Sequence, residues 1–246
     1  MKPPLTSIAI QKIVRHLRWI GATTAFALMA GCATGPYANP ADPLEPLNRS
    51  ISRFNDEVDE VVLIPAATVY RNVLPSPVRT GVNNFFGNLG DVWSFANSVM
   101  QLRLQNSAET FMRVNVNTLF GLGGLLDIAT EAGIDRHKED FGQTLGRWGV
   151  PSGPYLVLPV LGSSTVRDAL VLPIDGKGDL VGAIHDIPVR NSMYVLRVVD
   201  LRSNFLRATQ LLGDAALDKY SFTRDVHLQR RANEIYNGDP PGEGGQ

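Results

Sequence analysis

The only cysteine of the 246-residue chain, Cys32, follows a short apolar run, and this position constrains what the chain can fold into. A single cysteine forms no internal disulfide, so in an exported protein it is a free thiol, an intermolecular bridge or a chemically modified residue. The residues before Cys32 are first basic and then apolar over 19–30, which is typical of a secretory leader. That run is shorter than the roughly 20 apolar residues that a membrane-spanning helix needs. We therefore predict a leader at 1–31.

The sequence Met29-Ala30-Gly31-Cys32 resembles the lipobox of bacterial lipoproteins, although Met29 stands where leucine is commonest. The alternative is a plain signal peptide with a leftover thiol. Acyl chains contribute about 0.8 kcal/mol per buried methylene, and more than one chain gives stable anchoring. We expect Cys32 to be a lipid anchor carrying diacylglycerol and an N-acyl chain, with no other cofactor. Ala33, rather than Asp, resembles the sorting signal for the outer membrane.

The charge balance argues against a nucleic-acid partner. Four of the 23 basic residues and none of the 24 acidic ones precede Cys32, so the remaining chain is mildly acidic. Nucleic-acid binding requires a basic face, and no run of Lys and Arg occurs here. Hydrophobic residues make up 44% of the chain, which is enough for a sizeable core.

Apolar residues recur at helical spacing along most of the chain after Cys32, which predicts an all-α fold. Asp42-Pro43-Leu44-Glu45 has the spacing of a capping box, so the first helix is expected to begin at Glu45 or Pro46 and to end or kink at Pro65. A second helix is expected from Ser76-Pro77. Its apolar stripe either packs in the core or partly faces lipid.

Within that second helix, Gly87 and Gly90 either break it in two or allow a neighbour to approach closely. Asn106-Ser107-Ala108-Glu109 offers another capping box, and we predict a helix there although 112–119 alternates like a strand. The stretch 142–173 is dense in Gly and Pro, which predicts a structured loop or hairpin with short pieces.

Helical spacing returns over 195–212 and 215–236. The chain is thus divided into the leader 1–31, a linker at 32–41, a helical domain at 42–238 and a flexible tail at 239–246.

No residue pattern indicates an enzyme or a metal site. Asp140-Phe141-Gly142 spells the metal-binding tripeptide of kinases, but the other kinase motifs are missing. The four histidines lack metal-ligand spacing, and neither a phosphate loop nor Gly-x-Ser-x-Gly occurs. We predict neither a catalytic nor a metal site.

Blocks of residues spread over 42–238 together resemble one family, the MlaA lipoproteins, also called VacJ. The residues that carry the resemblance are Asp42-Pro43-Leu44-Glu45, Asn48-Arg49, Phe54-Asn55, Asn83-Asn84-Phe85-Phe86-Gly87-Asn88-Leu89, Arg113, Asn117, Gly121, Gly123, Gly124, Asp127, Ala129, Asp140-Phe141-Gly142-Gln143-Thr144-Leu145-Gly146, Gly153-Pro154-Tyr155, Leu158-Pro159, Gly162, Arg167-Asp168, Tyr220, Arg224-Asp225 and Leu228-Gln229-Arg230-Arg231. The chain departs from the family pattern at Ile51, Val114, Val171 and His227.

This resemblance implies a single ring-like helical domain with an amphipathic central channel, lying in the inner, periplasmic leaflet of the outer membrane. It implies a lipoprotein that removes mislocalised phospholipids from the outer leaflet and passes them to a periplasmic carrier similar to MlaC. Trimeric porins are the expected neighbours. The alternatives are a lipoprotein scaffold that binds porins without transport, and a lipid hydrolase.

Several residues are candidates for the lipid channel: Phe85, Phe86, Gly121, Gly123, Gly124, Leu125 and Tyr155. The two phenylalanines are as compatible with burial between helices as with contact to acyl chains. The glycines form either a flexible hairpin at the pore or a site of close helix packing. Arg167 and Asp168 either pair with each other or meet lipid headgroups.

Overall fold

The computed structural model describes residues 42–215 and 217–238, and helices dominate it. Cys32, the leader, the linker and the tail beyond 238 lie outside these residues. The helices are α1 (Glu45–Val58), α2 (Ile64–Val73), α3 (Ser76–Met100), α4 (Leu104–Leu119), α5 (Ile128–Glu131), α6 (Phe141–Arg147), α7 (Val166–Gly178), α8 (Ile187–Ala215) and α9 (Lys219–Tyr236). A π-helical turn covers Asp59–Leu63, a 3-10 turn covers Leu180–Ala183, and strands β1 (Tyr155–Leu158) and β2 (Gly162–Thr165) form a hairpin.

Helix α1 begins at Glu45, which is one of the two predicted starts. The side chain of Asp42 does not cap this helix; its Oδ2 instead accepts a hydrogen bond from the Tyr220 hydroxyl at 2.6 Å. Pro65 does not end the helical run, because it lies in the first turn of α2, where a missing N–H costs little. The π-helical turn joins the two helices.

Helix α3 is continuous, so the expectation of a break at Gly87 and Gly90 is wrong and the alternative of close approach is right at Gly87. A Cβ at Gly87 would overlap the guanidinium of Arg136, whereas a Cβ at Gly90 would meet no atom within 4 Å. Helix α4 confirms the helix prediction for 112–119. It starts at Leu104, and therefore Asn106 and Ser107 lie inside it rather than at its cap.

The Gly- and Pro-rich stretch contains short elements, as predicted. It holds α6, the antiparallel hairpin in which Tyr155 pairs with Thr165, and the first part of α7. Helix α7 nevertheless runs through Pro173 to Gly178. Both predicted C-terminal helices are present as α8 and α9.

Two asparagines of α1, spaced by two helical turns, attach this helix to the hairpin. Asn48 donates from Nδ2 to the carbonyl of Tyr155 at 3.0 Å and accepts from the N–H of Val157 at 2.9 Å. Asn55 repeats the arrangement with the carbonyl of Leu158 at 2.9 Å and the N–H of Val160 at 2.7 Å. The side-chain amides thus satisfy backbone groups along an edge of the hairpin.

The contacts between elements close a circuit. Helix α1 leads through the π-helical turn to α2, which packs on α8; α8 packs on α3, α3 on α6, and α6 on α9. Helix α9 contacts β2, and β1 contacts α1, so the path returns to its start. Ion pairs reinforce it: Arg202 binds Asp59 between α8 and the π-helical turn, and Arg49 binds Asp218 between α1 and the start of α9. This circuit agrees with the ring-like helical fold predicted from the sequence.

The distribution of polarity is the reverse of an ordinary soluble protein. Among the described residues, buried polar and charged side chains outnumber buried apolar ones by about two to one. Large apolar side chains are exposed instead, among them Val69, Phe120, Leu170 and Leu201. Extended exposed apolar surface is typical of membrane or protein contact. No helix in the described part of the chain is both long and apolar enough to cross a bilayer.

Replacement of Asn48 by alanine should destabilise the fold more than the same change at Asn55. Asn48 is fully buried, so Asn48→Ala leaves a buried carbonyl and a buried N–H without partners, at a cost of about 2–4 kcal/mol. Asn55 is half-buried, and water replaces its bonds, so Asn55→Ala should cost under about 1 kcal/mol. Denaturant unfolding of the purified variants measures both. Equal losses would contradict the role assigned to the buried amide.

Candidate functional site

The main cavity has a volume of about 670 Å³ and lies between α3, α6, α7, α8 and α9. Four of these helices, α8, α3, α6 and α9, are consecutive members of the circuit described above. The volume falls in the range of about 300–1,000 Å³ that ligand sites usually occupy. We therefore treat this cavity as the candidate site.

Helix α3 supplies one complete wall. The wall residues recur at helical spacing, and they are Asn83, Phe86, Gly87, Gly90, Asp91, Trp93 and Ser94. At a rise of about 1.5 Å per residue, the wall is about 16 Å long. Gly90 carries no side chain and an added Cβ there would meet no atom within 4 Å, so the wall is open at this position, whereas the guanidinium of Arg136 fills the space at Gly87.

Apolar side chains face the cavity from two helices. Val198 and Leu201 of α8 line it and are about half exposed, while Phe86 of α3 also lines it and is mostly buried. Arg197 lies 6.0 Å from the Phe86 ring and pairs with Asp179 at 2.6 Å. This part of the cavity can therefore contact hydrocarbon.

At the far end, Trp93 fixes α3 to α7. Its indole Nε1 donates to Asp175 Oδ1 at 2.8 Å, and a Cβ at Gly178 would overlap the indole ring. Asp175 also accepts the N–H of Phe141 at 2.9 Å. Burial raises the pKa of Asp175.

Charged side chains of the α3–α4 region form an alternating chain beside the cavity. Arg136 Nε donates to Asp91 Oδ1 at 2.9 Å, and Asp91 lies 3.9 Å from the buried Arg113. Arg113 in turn donates to both carboxylate oxygens of Asp127. Burial raises the pKa of Asp91 despite Arg136. Burial alone would raise the pKa of Asp127 too, but hydrogen bonds from Thr130 and neighbours lower it to about 2.

Arg231 of α9 joins three helices at the cavity. Its Nη1 and Nη2 each donate to Asp140, the N-cap of α6, at 2.6 Å, and its Nε donates to Asp168 of α7 at 2.8 Å. Asp168 also pairs with Arg167 at 2.9 Å, so of the two predicted alternatives the internal pair is present. Burial would raise the pKa of Asp168, but Arg231 outweighs it and holds this pKa below its ordinary value.

The sequence-predicted channel residues lie at several places. Phe86 lines the cavity, and its ring packs edge-on against Phe85 at 5.5 Å. Tyr155 is buried in a small core with Val157 and Tyr220, and its hydroxyl pairs with Ser163 at 2.8 Å. Neither Phe85 nor Tyr155 lines the cavity.

The predicted glycine cluster lies between α4 and α5 and packs against α3. A Cβ at Gly124 would overlap Asn88, and one at Gly121 would overlap backbone oxygens, as close packing requires. Gly123 adopts a positive φ of 72°, and Leu125 is exposed. None of these four lines the cavity, so the proposed lipid contact of this cluster stays a prediction.

Sequence reasoning missed Gly90, Arg136 and Val198. Gly90 is followed directly by Asp91 within the apolar stripe of α3. A glycine next to a carboxylate in such a stripe was the sequence signal available for this part of the site. Within the described ranges, no group of three or more His, Cys, Asp or Glu side chains is placed to hold a metal.

Comparison with known proteins identifies the family. The family model described as MlaA lipoprotein matches residues 40–234. The chain belongs to the MlaA lipoprotein family. It is 32% identical over 226 residues, 87% of each chain, to "Intermembrane phospholipid transport system lipoprotein MlaA" of Escherichia coli (strain K12). The protein of the same name from Haemophilus influenzae is 32% identical over 223 residues, which are 85% of this chain and 87% of the relative.

A solved MlaA-like structure also matches. It is described as "Structural basis for maintenance of bacterial outer membrane lipid asymmetry", and it superposes with a TM-score of 0.66 at 32% sequence identity. The match covers 79% of this chain and 98% of that chain. The helical fold predicted from the sequence is therefore that of the MlaA family.

Loss of the Arg231 side chain should destabilise the fold far more than loss of its neighbour Arg230. Arg231→Met leaves Asp140 and Asp168 without their shared cation; because Asp168 keeps Arg167 and Asp140 is 38% exposed, the expected cost is about 2–3 kcal/mol. Arg230 is 71% exposed, and among the described residues its ion pair is with Glu234 one turn away, so Arg230→Met should change stability by less than about 0.5 kcal/mol. Denaturant unfolding gives both values, and a small loss for Arg231→Met would remove it as the joint of the three helices.

Proposed function

We propose that the protein removes mislocalised phospholipids from the outer leaflet of the outer membrane and hands them to a soluble periplasmic carrier. Membership of the MlaA family supports this proposal, as do the names of its relatives in E. coli and H. influenzae. The activity maintains the lipid asymmetry of the outer membrane. It involves no covalent change of the lipid, so the protein acts as a transporter and not as an enzyme.

The observation that carries the proposal is the mixed chemistry of the main cavity. Val198 and Leu201 offer apolar contact, whereas Arg136 and Asp91 on the α3 side offer charge. A phospholipid has hydrocarbon chains and a charged headgroup, so each part finds a matching wall. The open position at Gly90 provides room between the walls.

The membrane setting is proposed from the outward apolar side chains. Exposed residues such as Val69, Phe120 and Leu170 would lose contact with water in a lipid leaflet, at about 25 cal/mol per Å² of apolar area. The polar interior then stays hydrogen-bonded within the ring. We place the domain in the inner leaflet, held by acyl chains on Cys32, which gives the domain access to lipid without a spanning helix.

Trimeric porins and a carrier similar to MlaC are the proposed partners. A porin provides a rigid neighbour that spans both leaflets, and the carrier accepts the lipid on the periplasmic side. The chain contains no nucleotide-binding motif. We propose that the direction of net flow comes from these partners or from the lipid gradient, and that no cofactor takes part.

Filling the open part of the α3 wall should block transport without harm to the fold. Gly90→Leu places a side chain in the cavity where no atom lies within 4 Å, and leucine favours the helix over glycine by about 0.8 kcal/mol. Cells with Gly90→Leu should expose phospholipid at their surface and become detergent-sensitive, as cells lacking the protein should. The readouts are surface phospholipid labelling and detergent survival.

Gly176→Leu is the matched control. Gly176 is also helical and also has no atom within 4 Å of an added Cβ, but it lies outside the cavity lining. This variant should keep full transport. Normal surface lipid with Gly90→Leu, in a folded and correctly located protein, would contradict the cavity as the lipid route. Normal leaflets in cells without the protein would favour the scaffold, and fatty-acid release from vesicles by purified protein would favour a hydrolase.

Replacement of the anchor residue should abolish both acylation and function. Cys32→Ala removes the only thiol that can carry diacylglycerol, so radiolabelled fatty acid should no longer be incorporated and surface phospholipid should rise. Metabolic labelling followed by fractionation of the envelope measures the change. A Cys32→Ala protein that stays active in the outer membrane would contradict the anchor.

A further inference from the structure

The guanidinium of Arg136 is held in place from two sides at the middle of the cavity wall. Its Nε donates to Asp91 Oδ1 at 2.9 Å, and Asp91 is almost fully buried. Its Nη1 and Nη2 lie against the backbone of α3, in the space that a side chain at residue 87 would fill. Gly87 is therefore required for the position of Arg136. The carboxylate of Asp91 and the backbone of α3 together fix the orientation of Nη1 and Nη2, the two terminal nitrogens that we call the fork.

The two terminal nitrogens of Arg136 are available to a ligand. Within the described residues, neither Nη1 nor Nη2 donates a hydrogen bond to the protein, and the side chain is 27% exposed. Arg231 differs because its donors bind Asp140, Asp168 and Glu234. Lys138 differs because it is exposed, with no carboxylate holding it in the described part of the chain.

A fixed guanidinium with two free parallel donors matches two oxygens of a phosphodiester. Such a pair is bidentate and stronger than a neutral hydrogen bond, and arginine remains charged at any physiological pH. The same cavity is lined by Phe86, Val198 and Leu201, so a phosphate bound at Arg136 has apolar side chains within the same enclosure. Inorganic phosphate would use the fork alone, whereas a phospholipid would use both features.

We propose that Arg136 binds the phosphodiester group of a glycerophospholipid in the main cavity, with the acyl chains along the apolar side of α8. This inference rests on the proposed function and assigns to one residue the recognition of the phosphate. It makes the cavity selective for lipids with a phosphodiester over lipids of similar hydrocarbon content without one. Diacylglycerol is the lipid that isolates this difference.

Lipid retention by the purified full-length protein tests the proposal. The acylated protein is extracted in detergent, stripped of lipid and incubated with mixed micelles that contain equal amounts of labelled phosphatidylethanolamine and diacylglycerol. Wild-type protein should retain the phospholipid preferentially. Arg136→Gln should lower retention of phosphatidylethanolamine about tenfold and leave diacylglycerol retention unchanged, because only the former uses the fork.

Two further variants separate recognition from folding. Arg136→Lys keeps a cation beside Asp91 and so protects the fold, but it loses the fork; it should lower phospholipid retention in the same direction. Lys177→Gln removes an exposed cation of α7 that lies outside the cavity lining, and it should change retention by less than about twofold. Millimolar inorganic phosphate should not displace the lipid.

Three results would overturn the inference: unchanged phospholipid retention in both Arg136 variants, an equal loss of both lipids, or displacement of the lipid by inorganic phosphate alone. A different result would contradict the proposed function itself. If wild-type protein retains neither lipid and Gly90→Leu cells keep normal leaflets, the cavity is not a lipid route. If Gly90→Leu blocks transport but Arg136 is dispensable, only the assignment of Arg136 is wrong.

Discussion

Arg231 holds α6, α7 and α9 together around the cavity, and the closed arrangement of helices depends on this contact. Its guanidinium binds the carboxylate that caps α6 and a carboxylate in the first turn of α7. Burying a charge is costly unless it is paired and hydrogen-bonded, and here one cation satisfies two acidic groups that would otherwise repel each other. The C-terminal helix is therefore the element that closes the ring.

The same principle operates throughout the interior. Asn48, Arg113 and Asp91 are buried and each has polar partners, while leucine, valine and phenylalanine side chains are exposed. In water this arrangement would leave many apolar side chains exposed, and they would not contribute the free energy of hydrophobic burial. In a lipid leaflet the outer surface is matched to hydrocarbon, and hydrogen bonds that are shielded from bulk water hold the polar interior. The proposed phospholipid in the cavity would contact both polar and apolar side chains.

Local patterns were sufficient for the helices. The spacing of apolar residues predicted α1, α3, α8 and α9, the capping box at Asn106 predicted α4, and the Gly- and Pro-rich composition predicted a structured loop or hairpin. Local patterns failed where the role of a residue depends on a contact with a distant part of the chain. Gly87 lies inside the continuous helix α3, and its missing side chain makes room for Arg136, which follows 49 positions later in a loop. The capping spacing at Asn106 predicted the helix but not its start, since the helix already begins at Leu104.

The candidate site was harder to predict for a physical reason. Apolar periodicity identifies the face of a helix that avoids water, but in this molecule polar residues of α3 such as Asn88 and Asp91 are buried. Of the predicted channel residues, Phe86 lines the cavity, whereas Tyr155 belongs to the small core beneath the hairpin. The walls are brought together by contacts between helices far apart in sequence, and one sequence carries no direct signal of that proximity.

The most direct test of the account is photo-crosslinking from Val198, the exposed apolar side chain on the cavity wall of α8. A photoreactive amino acid at this position, in intact cells, should capture labelled phospholipid that has been delivered to the outer leaflet. Leu170, which is exposed but lies outside the cavity, serves as the reference position for general contact with lipid. Capture of outer-leaflet lipid at Val198 is the predicted result. Absence of any phospholipid adduct there, while Leu170 is labelled, would contradict passage of lipid through the cavity.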